Sequence, residues 1–239
     1  MALTLDKTLA KAVVAAAGVA TPSWALLRRP SDPLPTNLSY PLFVKPAAEG
    51  SSKGIDEGAI VGDERALRAR VKVLFARYDQ PVLVESYLPG REFTVGIVEG
   101  LDPMVLPPME IVHASSEKPT LYGYASKLAS LDTISYEVPA KVSPALDQSL
   151  REAALAAFRA LDCRDVARID LRLDAHGAVS FMECNPLPGL SPGWSDLCMI
   201  ASAAGLDYDE LIAALVQPAL TRAGFGPHAS ARGPHERVC

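Results

Sequence analysis

The chain begins with apolar residues at helical spacing. Leu5, Leu9 and Val13 recur every four residues, a period that places them along one side of a helix. Gly18 and then Pro22 supply a helix stop. We therefore predict an amphipathic N-terminal helix with these three residues as its apolar stripe.

A secretory signal peptide is the alternative interpretation of this segment. Lys7 and Lys11 precede the apolar run 12–20, as a positive region precedes the apolar region of such a peptide. Asp6 places an acid in that positive region, which favours the helix. The run is also well short of the ~20 residues that span a bilayer, so no membrane partner is expected.

The rest of the chain mixes strand patterns with helix patterns. Asp63 is predicted to cap a helix with an apolar stripe at Leu67, Val71 and Leu74. Strands are predicted at 41–46, 82–87, 92–98, 166–173 and 179–185, and further helices at 143–161 and in the region that ends near Arg222. This mixture indicates an α+β fold with antiparallel strands near its end.

Composition narrows the class of protein and its partners. Hydrophobic residues make up 49% and charged residues 21% of the 239 residues, as in ordinary globular proteins, and the net charge is −5. The charge is spread along the chain without a basic stripe, which argues against a nucleic-acid partner. The four cysteines have no CxxC spacing and indicate reduced thiols in the cytoplasm. The histidines lack the spacing of a zinc site.

The last two predicted strands carry the most informative chemistry. Alternation along them places Asp170, Glu183 and Asn185 on one face, beside Arg168. If 174–177 forms a four-residue loop, Asp170 and Glu183 are diagonal neighbours, ~7–8 Å apart at the backbone. Two carboxylates and an amide oxygen suit magnesium, which prefers oxygen ligands and is often shared with substrate phosphates.

A solvated surface hairpin is the alternative interpretation of these strands, because polar faces of this kind are common. The segment Asn185-Pro-Leu-Pro-Gly-Leu190 follows directly. A surface hairpin does not need so elaborate a loop, so the magnesium site is favoured.

Two further segments suit a nucleotide. Lys45 lies near the end of a strand, and the Gly/Ser segment 49–54 follows it, which offers positive charge and backbone N–H groups to a phosphate. The GxxxxGK[ST] spacing of a P-loop is absent, and an ordinary turn stays open. Glu85 and Glu92 flank the turn after the next strand. They can hold an adenine amino group and ribose hydroxyls, or they can be exposed strand ends.

Taken together and in order, these motifs resemble the D-alanine–D-alanine ligase branch of the ATP-grasp superfamily. The resemblance extends from about Leu5 to Arg222. The motifs are Asp6-Lys7, Val44-Lys45-Pro46, Gly50-Ser-Ser-Lys-Gly54, Val84-Glu85, Gly90-Arg-Glu92, Lys127, Arg168-Ile-Asp170 and Glu183-Cys-Asn185-Pro-Leu-Pro-Gly189. The implied fold is an α+β ATP-grasp fold, in which two subdomains clamp a nucleotide between antiparallel sheets.

The resemblance also implies a division of the chain. Residues 1–92 would form the small subdomain with the phosphate loop, and residues 93–222 the large C-terminal subdomain with the metal site. Residues 223–239 are predicted to be a disordered tail. The family's additional N-terminal domain is not found before the Asp6-Lys7 motif, so a second copy of the chain, a partner chain or an upstream segment outside this sequence is expected to supply it.

The matching residues receive roles from the resemblance. Lys7, Lys45, Ser52 and Lys127 would contact the phosphates of ATP, Glu85 and Leu88 would border adenine, and Glu92 would bind ribose. Asp170, Glu183 and Asn185 would bind two Mg²⁺ ions, with Mn²⁺ as an alternative. Arg168, Ser51 and the backbone near Gly189 would act in catalysis, and Ser195 would hold the second substrate.

The activity implied by the resemblance is an ATP-dependent ligation of small, amino-acid-like molecules. A carboxylate would form an acyl phosphate, and an amine would then displace phosphate to give a peptide bond. Two departures leave the substrates open: Leu128 stands where the family has tyrosine, and the segment 191–195 is one residue longer. The alternatives are a non-catalytic ATP-binding module or truncated remnant, and a kinase-like relative that stops at phosphoryl transfer.

Overall fold

The computed structural model describes residues 2–48, 54–102, 104–113 and 134–225. Its helices are α1 (Ala2–Leu5), α2 (Lys7–Ala16), α3 (Glu64–Tyr78), α4 (Pro144–Ala160), α5 (Asp196–Ala203) and α6 (Tyr208–Arg222). Its strands are β1 (Trp24–Leu27), β2 (Leu42–Pro46), β3 (Ile60–Val61), β4 (Val82–Ser86), β5 (Glu92–Val98), β6 (Met109–His113), β7 (Ile134–Glu137), β8 (Val166–Leu173) and β9 (Val179–Asn185). Each strand that the sequence predicted is present, which confirms the α+β class.

The first sheet has the strand order β1-β4-β2-β3, with antiparallel pairing throughout. Helix α3 covers it, and Leu67, Val71 and Leu74 of the predicted stripe are buried in the core beneath. The carboxylate of Asp63 accepts a hydrogen bond from the Ala66 amide at 2.8 Å. The predicted N-cap is therefore confirmed, and it fixes where α3 begins.

The second sheet has the strand order β7-β6-β5-β8-β9, also antiparallel. Helix α4 packs on one of its faces, where Leu150 and Phe158 join Phe93 and Ile169 in one core. Because β8 alternates, its apolar residues enter this core and its polar residues lie on the opposite face. That polar face holds the candidate site.

Helix α2 packs on the second sheet through a face that the sequence did not indicate. Leu5 and Leu9 are exposed, at 67% and 49% of their surface. The buried side chains of α2 include Ala10, Lys11 and Val14. The amphipathic helix is confirmed, but of the expected stripe only Val13 packs against the core. Small Ala and Val side chains allow α2 to lie close to β9, and this close packing decides the orientation.

The last helical region consists of two helices, α5 and α6. Asp207 and Glu210 form a reciprocal capping box at the start of α6. Leu197 and Ile200 of α5 share a separate core with Met109. None of the helices in the described ranges is both long enough and apolar enough to cross a bilayer.

Candidate active site

Strands β8 and β9 bring the predicted metal ligands together. Their register places Asp170 opposite Glu183 and Arg168 opposite Asn185. The prediction that these groups converge is confirmed, but the prediction of a diagonal arrangement is wrong. The two carboxylates are direct cross-strand neighbours. We call Arg168, Asp170, Glu183 and Asn185 the hairpin cluster.

The loop between these strands explains the difference in register. In this loop, the carboxylate of Asp174 accepts hydrogen bonds from the backbone amides of His176 and Ala178, each at 2.8 Å. The first cross-strand pair is therefore Leu173 with Val179, so the loop is one residue longer than predicted. An irregularity after Asp170 then shifts the register again, as a β-bulge does.

Asp170 is the centre of the hairpin cluster. One of its oxygens accepts a hydrogen bond from the Thr94 hydroxyl at 2.7 Å. The other accepts from the Asn185 amide at 2.9 Å and from the Arg168 guanidinium at 3.2 Å. Thr94 lies opposite Asp170 on β5, so three adjacent strands fix the position of this carboxylate.

Glu183 is held from the side of α2. Its Oε2 lies 3.0 Å from Nζ of Lys7, the first residue of α2. Burial raises the pKa of Asp170, and the neighbouring carboxylate of Glu183 adds to this rise. Burial would also raise the pKa of Glu183, but Lys7 and Lys45 outweigh it and lower the pKa. Perturbed pKa values of buried acids are typical of functional sites and of ion-pair networks.

A second group of charges lies beside the first. Glu85 Oε1 is 2.7 Å from Nζ of Lys11, and Glu85 Oε2 is 2.6 Å from Nζ of Lys45. The side chains of Lys11, Lys45 and Glu85 are only 0%, 5% and 5% exposed. We call these three residues the lysine cluster. It contains two lysines and one glutamate, so it carries an excess of positive charge.

Burial and attraction compete within the lysine cluster. Burial by itself would raise the pKa of Glu85, but Lys11 and Lys45 overcome it and lower the pKa to about 2. Burial lowers the pKa of Lys11. Its ammonium also donates to the Phe181 carbonyl at 3.4 Å, which places it against β9. Lys11 was missed as a site residue, and its only signal was a lysine four residues after Lys7 in an Ala/Val run.

A cavity lies where the two sheets meet. It is lined by Glu85 of β4, by Leu88 in the connection from β4 to β5, and by Arg172 of β8. Arg172 donates to Glu92 at 3.1 Å and to the Gly90 carbonyl at 3.1 Å. The residues expected to border adenine and to bind ribose are therefore adjacent to one cavity. Arg172 was not among the sequence predictions.

The loop after β9 lies beside the hairpin cluster. Arg168 pairs with Asp196, the first residue of α5. The amide of Ser191 donates to the Ser195 hydroxyl at 3.0 Å, and a side chain at Gly189 would come within 2.7 Å of that hydroxyl. Gly189 and Ser195 thus lie next to one another. Asp196 was missed because an acid at the start of a helix is ordinary.

Three predicted site residues lie outside the described residues: Ser51, Ser52 and Lys127. Leu128 and the proposed tail after 225 lie outside them as well.

The donors of the hairpin cluster fit a hard cation. Within the described ranges, no three side chains of His, Cys, Asp or Glu are grouped to hold a metal. The hairpin cluster has two carboxylates, and Asn185 supplies an amide as the third group. Each of these three groups can offer an oxygen atom to the ion. Where Mg²⁺ is shared with substrate phosphates, the protein typically supplies only one or two carboxylates.

Comparison with known proteins places this geometry in a family. The family described as "D-ala D-ala ligase C-terminus" matches residues 13–217. The chain belongs to the D-alanine–D-alanine ligase family. A D-alanine–D-alanine ligase of Synechococcus sp. is 35% identical over 228 residues, which cover 93% of this chain and 66% of that protein.

Two other comparisons are informative. An uncharacterised protein of Sinorhizobium fredii is 36% identical over 220 residues, or 92% of this chain and 64% of its own length. The solved D-alanine–D-alanine ligase of Bacillus anthracis, complexed with ATP, superposes with a TM-score of 0.74 and 28% identity. That superposition covers 93% of this chain and 68% of the solved one, and it confirms the ATP-grasp fold.

The present chain spans about two thirds of the length of the curated relatives it matches. The matched part contains the whole hairpin cluster and, from the lysine cluster, Lys45 and Glu85. Lys11 lies just before the range of the family match.

Proposed function

We propose that this chain carries the nucleotide and metal site of an ATP-dependent carboxylate–amine ligase. The reaction forms an acyl phosphate from a carboxylate and ATP, and an amine then displaces phosphate to give an amide bond. One observation carries the proposal: the oxygen ligands of the hairpin cluster lie beside buried lysines, and one ion pair, Lys7–Glu183, joins the two sides. A solved relative that binds ATP supports the choice of nucleotide.

The lysines hold the phosphates of ATP. Lys45 and Lys7 lie beside the hairpin cluster, where their ion pairs with Glu85 and Glu183 orient the ammonium groups. Phosphoryl transfer depends mainly on positioning and charge neutralisation, which two fixed ammonium groups supply. Ser51, Ser52 and Lys127 complete the phosphate contacts in this proposal.

Adenine occupies the cavity between the sheets. Glu85 and Leu88 border the base, and Glu92 binds the ribose hydroxyls. Arg172 holds Glu92 in place through the contact at 3.1 Å. Because the cavity is lined by both sheets, a nucleotide in it contacts both proposed subdomains, 1–92 and 93–222.

Arg168 and the backbone at Gly189 stabilise the transferring phosphoryl group and the tetrahedral intermediate. Asp196 holds the Arg168 guanidinium, which keeps its position independent of substrate. Ser195, adjacent to Gly189, contacts the second substrate.

Asp170, Glu183 and Asn185 hold Mg²⁺. The ion supplies Lewis-acid polarisation of the phosphates and neutralises their charge. We propose two ions, and Mn²⁺ as a substitute. In the structure the Arg168 and Lys7 cations neutralise the same carboxylates, so the ligands are already arranged for positive charge.

The remaining features of the enzyme are also proposals. The substrates are small amino-acid-like molecules. We also propose that the enzyme works together with a second copy of itself or with a partner chain, and that it acts in the cytoplasm. Free thiols at the described cysteines, Cys163, Cys184 and Cys198, are compatible with a reducing compartment.

The decisive experiment measures ADP release by the full chain with ATP, Mg²⁺ and panels of amino acids, with the products identified by mass spectrometry. Asp170→Asn and Glu183→Gln should each abolish turnover while the circular dichroism spectrum stays unchanged. Matched controls are Asp102→Asn and Glu152→Gln, two exposed acids, which should retain full activity.

Each alternative has a distinct outcome. Calorimetric ATP binding without ADP release would indicate a non-catalytic module. A stable phosphorylated product without incorporation of an amine would indicate a kinase. Unchanged turnover in either hairpin variant would remove the metal assignment.

A further inference from the structure

Two thiols lie in contact directly beneath the hairpin cluster. The Sγ atoms of Cys163 and Cys184 are 3.6 Å apart. Cys184 lies on β9 between Glu183 and Asn185, and alternation points its side chain into the core while theirs face the site. Cys163 follows the end of α4. We propose that Cys163 and Cys184 form a peroxide-sensitive disulfide that lowers the affinity of the adjacent site for Mg·ATP.

Access differs between the two thiols. Cys163 is half-buried and lines a surface pocket of about 380 Å³, together with three arginines and two acids, Arg159, Arg164, Arg222, Glu99 and Asp162. Cys184 is only 4% exposed. A small oxidant such as hydrogen peroxide therefore reaches Cys163 first, and Cys184 is in place to react second. Reactive cysteines in general are partly exposed and near positive charge.

The chemistry is balanced with peroxide as the oxidant. The Cys163 thiolate attacks one peroxide oxygen, the O–O bond breaks, and a sulfenic acid and hydroxide form. The Cys184 sulfur then attacks the Cys163 sulfur, the S–O bond breaks, and water leaves with the thiol proton. Two thiols and one peroxide give one disulfide and two waters. A thiol such as dithiothreitol reverses the reaction by exchange.

The link to the site is geometric, and it rests on the proposed function. A disulfide holds its sulfurs at about 2.05 Å, so the two sulfurs must approach by roughly 1.5 Å from their 3.6 Å contact. Cys184 is packed in a dense core, so any part of this movement that Cys184 makes is passed on to its strand. Metal sites require ligand distances within about 0.2 Å. A shift of β9 therefore displaces Glu183 and Asn185 from their positions in the cluster.

The first test detects the bond itself. The full chain with Cys239→Ser is treated with hydrogen peroxide, digested without reduction and mapped by mass spectrometry. Trypsin releases Cys163 on the peptide 160–164, and a protease that cuts after acidic residues separates Cys184 from Cys198 at Asp196. We expect a Cys163–Cys184 link with the loss of two hydrogen atoms. Absence of this link, or a link to Cys198 instead, overturns the proposal.

The second test measures the consequence. Calorimetry of Mg·ATP binding should show an affinity at least about tenfold lower after oxidation, restored by dithiothreitol. Cys163→Ser and Cys163→Ala should bind as the reduced protein does and resist peroxide, whereas Cys198→Ser should stay sensitive. A mapped disulfide with unchanged affinity overturns the coupling. If the reduced chain does not bind Mg·ATP, the proposed function fails, and peptide mapping still decides whether the thiol pair is real.

Discussion

The two charged clusters at this site are neighbours, but they differ in composition and in assembly. The hairpin cluster has two carboxylates and comes mainly from two consecutive strands. The lysine cluster has two ammonium groups for one carboxylate and joins α2, β2 and β4. One is built for a cation and the other for an anion, as Mg·ATP requires. The comparison teaches that a local hairpin can supply metal ligands, whereas a buried excess of lysine requires distant segments to meet.

The largest expected effect comes from removing the acid of the lysine cluster. Glu85→Ala leaves Lys11 and Lys45 buried beside one another without the carboxylate that pairs with both. We expect a loss of about 3–5 kcal/mol in the free energy of unfolding, measured by urea denaturation. Lys11→Met is the matched control, because it leaves one balanced pair and conserves volume. It should cost less than about 1.5 kcal/mol, and an equal loss in both variants would contradict the charge argument.

The pH dependence of stability tests the same cluster. The pKa of Glu85 is lowered from 4.5 to about 2 by Lys11 and Lys45, against the effect of burial. A lowered pKa contributes stability that is present above 4.5 and is lost as pH falls from 4.5 towards 2. The loss from this group is about 3 kcal/mol. Urea unfolding of the wild type and of Glu85→Gln should show a steeper acid decline for the wild type; parallel curves would show that Glu85 is not stabilised in this way.

The hairpin cluster should respond to its local loop. Asp174→Ala removes the acceptor for the amides of His176 and Ala178. We expect a small loss of stability and weaker Mg·ATP binding, because the loop sets the register of Asp170 and Glu183. Asp102→Ala, another exposed loop acid, is the control. Unchanged nucleotide affinity in the Asp174 variant would mean that β8 and β9 keep their register without the loop.

The smallest effect is expected at the ion pair between Lys7 and Glu183 of the hairpin cluster. The Lys7–Glu183 pair is 10% and 30% exposed at its two side chains, so solvent screens it more than the lysine cluster. Lys7→Ala should change the free energy of unfolding by less than about 1 kcal/mol, and added salt should reduce the difference. ATP affinity should nevertheless fall, and calorimetry measures it. A large stability loss with normal ATP binding would make Lys7 a structural residue.

Regular elements with clear local signals could be predicted from the sequence. The cap at Asp63 and the strand Glu92–Val98 appear where the pattern placed them. Strand β1 was missed because four residues, Trp24–Leu27, are too few to establish a period. Of the candidate site, the convergence of Asp170, Glu183 and Asn185 was predictable, since all three lie within one hairpin.

The remaining part of the site depended on contacts between distant segments. Lys11 lies in a run that indicates only a helix, and its partner Glu85 is more than seventy positions away in the sequence. Asp196 meets Arg168 only because the loop after β9 folds back over the strand. Arg172 and Glu92 become partners because β5 and β8 pair. No local period encodes such pairs.

The sequence by itself determined the types of element, the alternation along β8 and β9, and the hard oxygen ligands on one face of their hairpin. Tertiary structure decided which face of α2 is buried, the direct opposition of Asp170 and Glu183, and the meeting of Lys11 with Glu85. The physical reason is the separation along the chain between the residues that interact. Helix caps and strand alternation depend on neighbours in the chain, whereas register and buried ion pairs depend on which surfaces pack together, and that choice is made by the whole core.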